Sequence, residues 1–143
     1  MKIVLQRVSR AEVRVSGQPI GSIRAGILLL VCIEAGDRAE RLDAIADRVL
    51  ELRIFGDGQG KMNLSCRQVK GEILVVPQFT LAATLQKGRR PSFVNAAPPR
   101  EAKPLFLRFV EGMRGSGLRV ETGRFGALME VELVNDGPVT FIL

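Results

Sequence analysis

The spacing of apolar and polar residues changes along this chain, and each change marks an element. Residues 2–8 are apolar-rich and read as a strand. Val13 and Val15 alternate with Glu12 and Arg14, the two-residue period of a half-buried strand, and Gly17 to Pro19 predicts a turn. Gly26 opens an unbroken apolar run, Ile27 to Ile33, which predicts a buried strand. Over 38–52 the period lengthens. Leu42, Ile45, Val49 and Leu52 fall on one helical face, and Asp37 with Glu40 three residues on supplies a capping pattern. Asp57-Gly58-Gln59-Gly60 predicts a turn.

A second buried strand, 72–76, runs into Val76-Pro77-Gln78-Phe79-Thr80-Leu81. Residues 84–100 contain Gly88, Pro91, Pro98 and Pro99 and read as a long loop. A second helix fits 101–114, with Ala102, Leu105, Phe109 and Met113 on one face; Pro104 suits it only near the first turn. Met129, Val131 and Leu133 alternate with Glu130 and Glu132 as in a half-buried strand. Gly137-Pro138 then interrupts, and Val139–Leu143 closes the chain as another strand. Strands outnumber helices and are not regularly interleaved with them. The expected fold is α+β: a single domain over 1–143 with a mainly antiparallel, barrel-like sheet and two helices.

Composition narrows the chemistry. The run 27–33 is far too short to cross a bilayer, and Gln6 and Arg7 break any signal-peptide core, so the expected compartment is the cytoplasm, with no membrane partner. Cys32 lies inside the apolar run and reads as a small core residue; Cys66 fits no metal or redox spacing. The net charge of +6 is compatible with a polyanionic partner, and equally with a basic soluble surface. Its densest patch is Lys87-Gly88-Arg89-Arg90. The chain has no histidine, which excludes Ser-His-Asp and Cys-His machinery and any histidine-bearing zinc site. No metal or other cofactor is expected. Catalysis must come from hydroxyls, amides, carboxylates, backbone groups or the substrate.

Two short motifs carry candidate chemistry. A strand that ends at Pro77 and turns can leave adjacent N–H groups free to hold an oxyanion, while Thr80 offers a hydroxyl and Gln78 an amide. The plain alternative makes Phe79 and Leu81 core and Gln78 and Thr80 strand-edge polar residues. Gly137-Pro138 is the second motif. X-Pro bonds are cis only about 5–6% of the time, but Asn135 and Asp136 favour a tight connection between two strands, where a cis bond is at home. On residue type alone Arg7 is an exposed charge on an edge strand, Phe93 a plug under the long loop, and Met129 core.

Pro77-Gln78-Phe79-Thr80 and Asn135-Asp136-Gly137-Pro138-Val139-Thr140 together resemble the signature motifs of the D-aminoacyl-tRNA deacylases, which remove D-amino acids from tRNA. The resemblance runs the length of the chain through Gln6-Arg7-Val8, Arg53-Ile54-Phe55, Gly60-Lys61-Met62-Asn63, Arg90-Pro91-Ser92-Phe93 and Thr122-Gly123-Arg124-Phe125. It implies that family's fold, aminoacyl-tRNA as substrate, and a homodimer with its active site at the subunit interface. It implies catalytic roles for Gln78, Phe79 and Thr80. It also implies a Gly137-Pro138 cis bond that crosses between subunits and excludes L-substrates while admitting glycine, as on glycyl-tRNA(Ala). Arg7 would hold that segment, Phe93 would lie near the bound adenosine, and Met129 would line the pocket. The terminal ribose hydroxyl of the tRNA would assist the hydrolysis. One departure is Pro77, where the family usually has Ser. A related group of editors acting on a mischarged L-amino acid shares Pro-Gln there, and is one alternative. A basic RNA-binding module without turnover is the other.

Overall fold

The computed structural model describes residues 1–85 and 88–143. The first strand, β1 (Lys2–Val15), organises everything around it. A two-residue connection, Ser16-Gly17, folds it back into β2 (Gln18–Ile23); both residues have positive φ, +51° and +74°, the backbone twist a tight hairpin needs. Next, β3 (Gly26–Cys32) pairs antiparallel with the first half of β1, from Lys2 opposite Cys32 to Val8 opposite Gly26. Strand β2 takes the second half of β1.

Helix α1 (Leu42–Glu51) and the small hairpin of β4 (Phe55–Gly56) and β5 (Met62–Leu64) follow. Then β6 (Glu72–Pro77) lies parallel to β3, with Ile27 opposite Ile73 and Val31 opposite Pro77. After α2 (Pro99–Arg114), β7 (Val120–Thr122) pairs parallel with β6. A Cβ on Gly21 of β2 would stand 3.1 Å from the Thr122 carbonyl oxygen of β7. The two sheet ends therefore touch, and the sheet curls into a nearly closed barrel. The α+β, barrel-like expectation with two helices holds; the ladders on β1 are antiparallel, and those of β6 are parallel.

Two apolar layers explain the sequence patterns. Ile3, Leu5, Ile27, Leu29, Ile73 and Val75 face the helices and meet Leu42, Val49, Leu50, Phe106, Phe109 and Met113. Val8, Ala11, Val13, Ile23, Leu28, Leu74 and Val76 fill the barrel. Because β3 and β6 are covered on both faces, they read as continuous apolar runs and not as alternation. Burying one such large side chain contributes about 1.5–3 kcal/mol, so this double layer makes β6 a rigid base for the turn that follows it.

Three local expectations are corrected. Asp37 does not cap α1. Its Oδ2 accepts the Glu34 N–H at 2.7 Å and its Oδ1 the Met1 amino group at 2.8 Å, and a short 3-10 turn, Ala39–Arg41, leads into the helix instead. Helix α2 begins at Pro99, which places Pro104 past the first turn; the exposed ring is tolerated because Phe106, Phe109, Val110 and Met113 bury the opposite face. Phe106 joins that face as a fully buried residue, and Leu105 packs against the core from its partly buried margin. Finally, the C-terminal segment is one strand, β8 (Glu130–Ile142), and not two strands joined by a tight connection. Both of its halves run antiparallel along β1, from Arg14 opposite Glu130 to Val4 opposite Ile142, so Gly137-Pro138 is a bulge within the strand.

Candidate active site

The end of β6 builds the first half of the site. The Gln78 N–H donates to the Val31 carbonyl at 2.8 Å, a last bond to β3 before the chain turns through a 3-10 segment, Phe79–Ala82. The Leu81 N–H takes the Gln78 carbonyl at 3.3 Å and the Ala83 N–H the Thr80 carbonyl at 3.0 Å. Among the described residues, no acceptor meets the N–H groups of Phe79 and Thr80. They are the orphan donors expected at the start of a helical turn. Two adjacent N–H groups without acceptors, on a rigid base, can receive an oxyanion.

The side chains around these donors are open. Phe79 is 59% exposed, so it is not the core residue that the plain alternative required. Phe93 meets it edge to face, with ring centroids 5.0 Å apart at 67°. The Gln78 side-chain amide donates to the Thr80 hydroxyl oxygen. Thr84 and Ser92 exchange two backbone hydrogen bonds, of 2.8 and 3.0 Å, and close a loop whose Gly88, Arg89 and Arg90 are exposed beside the site. Lys87 lies outside the described residues. Behind the turn, the buried Cys32 thiol donates to the Phe79 carbonyl at 3.5 Å; burial, followed by the Glu34 charge, pushes this thiol's pKa up and keeps it protonated.

Met129 joins the same end of the sheet. Its sulfur accepts the Arg124 N–H at 3.3 Å and packs toward the barrel interior, as its alternation predicted. Gly123 makes room for it: a Cβ there would lie 2.8 Å from the sulfur and 3.3 Å from Pro77 Cδ. Sequence reasoning missed that Gly123 seats Met129, because nothing in the local string marks a contact among Pro77, Gly123 and Met129.

The second half lies elsewhere on the chain. Val8 pairs with Asn135 and Gln6 with Thr140, so Arg7 alone faces the four residues 136–139. The Gly137-Pro138 peptide bond is cis and both residues are exposed. The Arg7 side chain is largely covered. Its Nε donates to the Asp136 carbonyl at 2.9 Å and its Nη1 to the Ile54 carbonyl at 2.6 Å. It is thus a clamp between the bulge and the segment leading to β4, not a loose edge charge. A hollow of about 340 Å³ beside it is lined by Arg7, Phe55, Gly56, Gly60, Met62 and Asp136. Lys2, whose ammonium lies 3.4 Å from the Leu81 carbonyl, is five residues from Arg7, about 16 Å along a strand. The structure therefore gathers Gln78, Phe79, Thr80, Phe93 and Met129 at one place, and Arg7, Gly137 and Pro138 at another. Among the described residues, no three of Cys, Asp and Glu converge as metal ligands, and no helix is long and apolar enough to cross a membrane.

A family model described as D-Tyr-tRNA(Tyr) deacylase matches residues 4–143. The chain belongs to that family. A protein named D-aminoacyl-tRNA deacylase from Geobacter metallireducens is 57% identical over 143 residues, covering all of this chain and 95% of that protein. One of the same name from Geotalea uraniireducens is 54% identical, over all of this chain and 92% of its own length. Among solved structures, one titled c-Myc DNA Unwinding Element Binding Protein superposes with a TM-score of 0.93 at 40% identity, covering 100% of this chain and 97% of its own. A probable eukaryotic D-amino acid tRNA deacylase shares the fold at 18% identity, with a TM-score of 0.85 over 99% of this chain and 97% of its own.

Proposed function

We propose that this chain, acting as one domain over residues 1–143, hydrolyses the ester joining a D-amino acid to the end of tRNA. Its products are the free D-amino acid and tRNA. The observation that carries the reading is the pair of N–H groups at Phe79 and Thr80 that no acceptor meets among the described residues, set beside the exposed Phe79 ring and the half-buried Phe93 ring in a member of the deacylase family. Water adds to the ester carbonyl, and the two N–H groups hold the resulting oxyanion. The vicinal ribose hydroxyl, already close to the carbonyl, assists the attack, and the ester oxygen leaves as the ribose hydroxyl. Positioning of this kind stands in for the histidine base that this chain lacks. Phe93 stacks near the terminal adenosine, Met129 walls the pocket, and no cofactor takes part.

The selectivity of the reaction rests on Gly137 and Pro138. In this reading the segment of one subunit enters the site of its partner, where the side chain of an L-substrate would project. Glycine has no such side chain, so glycyl-tRNA(Ala) is also a substrate. Two features support a homodimer: the two halves of the site stand far apart along β1, and β8 is an edge strand whose Val134, Phe141 and Ile142 are 38%, 38% and 79% exposed. A cytoplasmic enzyme of translation quality control follows from the substrate.

Pro77 favours a second reading, an editor of a mischarged L-amino acid, since it stands where the family usually has Ser. Purified protein assayed on D- and L-tyrosyl-tRNA decides between them. Hydrolysis of the D-form with sparing of the L-form is expected. Equal rates, or a preference for L, would overturn the D-specific reading, and binding without turnover would point to an RNA-binding module.

A further inference from the structure

A bulge that sets four residues of β8 against one of β1 leaves backbone groups without ladder partners. One side chain takes up those of Val139. The Asn135 carboxamide oxygen accepts the Val139 N–H at 2.6 Å, and its Nδ2 donates to the Val139 carbonyl at 3.2 Å. The same Nδ2 lies 3.1 Å from the Thr140 hydroxyl, which also accepts Gln6 Nε2 at 3.2 Å. Asn135 thus joins the residue where the bulge leaves the ladder to the residue just before it returns. Arg7 holds the same bulge at the Asp136 carbonyl. Gly137 and Pro138 form the exposed crest between these two anchors.

We infer that Asn135 is a positioning residue for stereoselectivity: its carboxamide fixes where the Gly137-Pro138 crest stands. The inference rests on the reading that this crest excludes L-substrates. Only a carboxamide of this length offers a donor and an acceptor together to both polar groups of one residue. Aspartate keeps the acceptor for the Val139 N–H and loses the donor to its carbonyl. Leucine matches the volume and loses both. A crest held on one side can move aside, which admits an L side chain and weakens the fit to the D-form. Asn135 itself need not touch substrate, so its effect appears in the ratio of the two rates.

The test compares Asn135→Leu, Asn135→Asp and Pro138→Ala in the full chain, by single-turnover hydrolysis of D- and L-tyrosyl-tRNA with denaturation followed in parallel. Losing two neutral hydrogen bonds predicts that Asn135→Leu lowers the D-to-L rate ratio by about tenfold or more, with Asn135→Asp between it and the parent. Pro138→Ala trims the crest and lowers the same ratio. If Asn135→Leu does not fold, Asn135→Asp and Thr140→Val, which removes only the hydroxyl partner, give the reading. A normal ratio in folded Asn135 variants, whether or not both rates fall together, would overturn the positioning role while a lowered ratio in Pro138→Ala keeps the crest reading. A normal ratio in all variants would overturn both.

Discussion

Arg7 Nε donates to the Asp136 carbonyl oxygen at 2.9 Å, tying together two residues 129 positions apart in sequence. The same guanidinium reaches the Ile54 carbonyl through Nη1. One planar fork therefore fixes the β8 bulge against the approach to β4. Lysine keeps the charge and loses the fork. Arg7→Lys is expected to lower stability by about 1–2 kcal/mol, since a charged hydrogen bond contributes about 1.5–3 kcal/mol and lysine recovers part of it. The urea midpoint measures this; an unchanged midpoint would show that the clamp bears no load.

The Thr80 hydroxyl accepts a hydrogen bond from Gln78, and no carboxylate or amine among the described residues meets it. Among those residues it has no base to make it a nucleophile. Thr80→Ala keeps the backbone N–H, so its loss should fall well short of the about 10²–10³ that removal of an oxyanion donor costs. Replacing the terminal 2′-hydroxyl of the tRNA by hydrogen, with the ester on the 3′ oxygen, should abolish most turnover. Under single-turnover conditions, a folded, inactive Thr80→Ala that still binds tRNA, together with normal hydrolysis of the deoxy substrate, would make Thr80 the nucleophile.

Arg89 and Arg90 stand exposed on the loop that Thr84 and Ser92 close beside the site. If both meet phosphates, changing them to Gln should weaken tRNA binding and flatten its salt dependence. The slope of log affinity against log salt should fall by about 0.7–0.9 per lost contact. An unchanged slope returns the pair to the solvated surface.

Gly26 pairs with Glu72 across the parallel ladder so closely that a Cβ would fall 1.8 Å from the Glu72 carbonyl oxygen. Both partners there are backbone and cannot step aside. Gly26→Ala should cost at least the about 1–3 kcal/mol of an overpacked core. Gly58→Ala, whose Cβ meets nothing within 4 Å, is the control in chemical denaturation. Equal midpoints for the two variants would contradict the close approach.

Glu72 is 7% exposed. Burial alone would raise its carboxyl pKa. The Arg24 N–H at 2.8 Å, the Arg24 guanidinium and the more distant Arg119 outweigh that and hold it below its ordinary 4.5. A carboxylate lowered in the folded state stabilises fully above its unfolded value, and that contribution is lost as pH falls through the folded one. Between about pH 5 and pH 3 the parent should therefore lose more stability than Glu72→Gln. Parallel slopes in urea midpoints across that range would show that Glu72 is not the group responsible.

Local pattern alone determined much of this protein. The continuous apolar runs 27–33 and 72–76 read as buried strands because both faces of each are covered, and the two helical faces read correctly to within a turn. The motifs around Gln78 and Gly137 were visible as polar groups set against strands. What only the tertiary structure decided is what those motifs touch. Residues 129–134 and 139–143 look like two strands because Gly137-Pro138 breaks their alternation. They form one, because both halves find hydrogen-bond partners on the long β1. Phe79 continues an apolar string yet lies exposed, because the chain leaves the sheet after Gln78 and turns its ring outward. Asn135 matters through Val139 and Thr140, which the bulge in its own strand folds back onto it, Gly123 through Met129 and the distant Pro77, and Ile54 through a single backbone carbonyl. Residue type and period encode burial, which is local; they do not encode register, which depends on how strands far apart in sequence share hydrogen bonds.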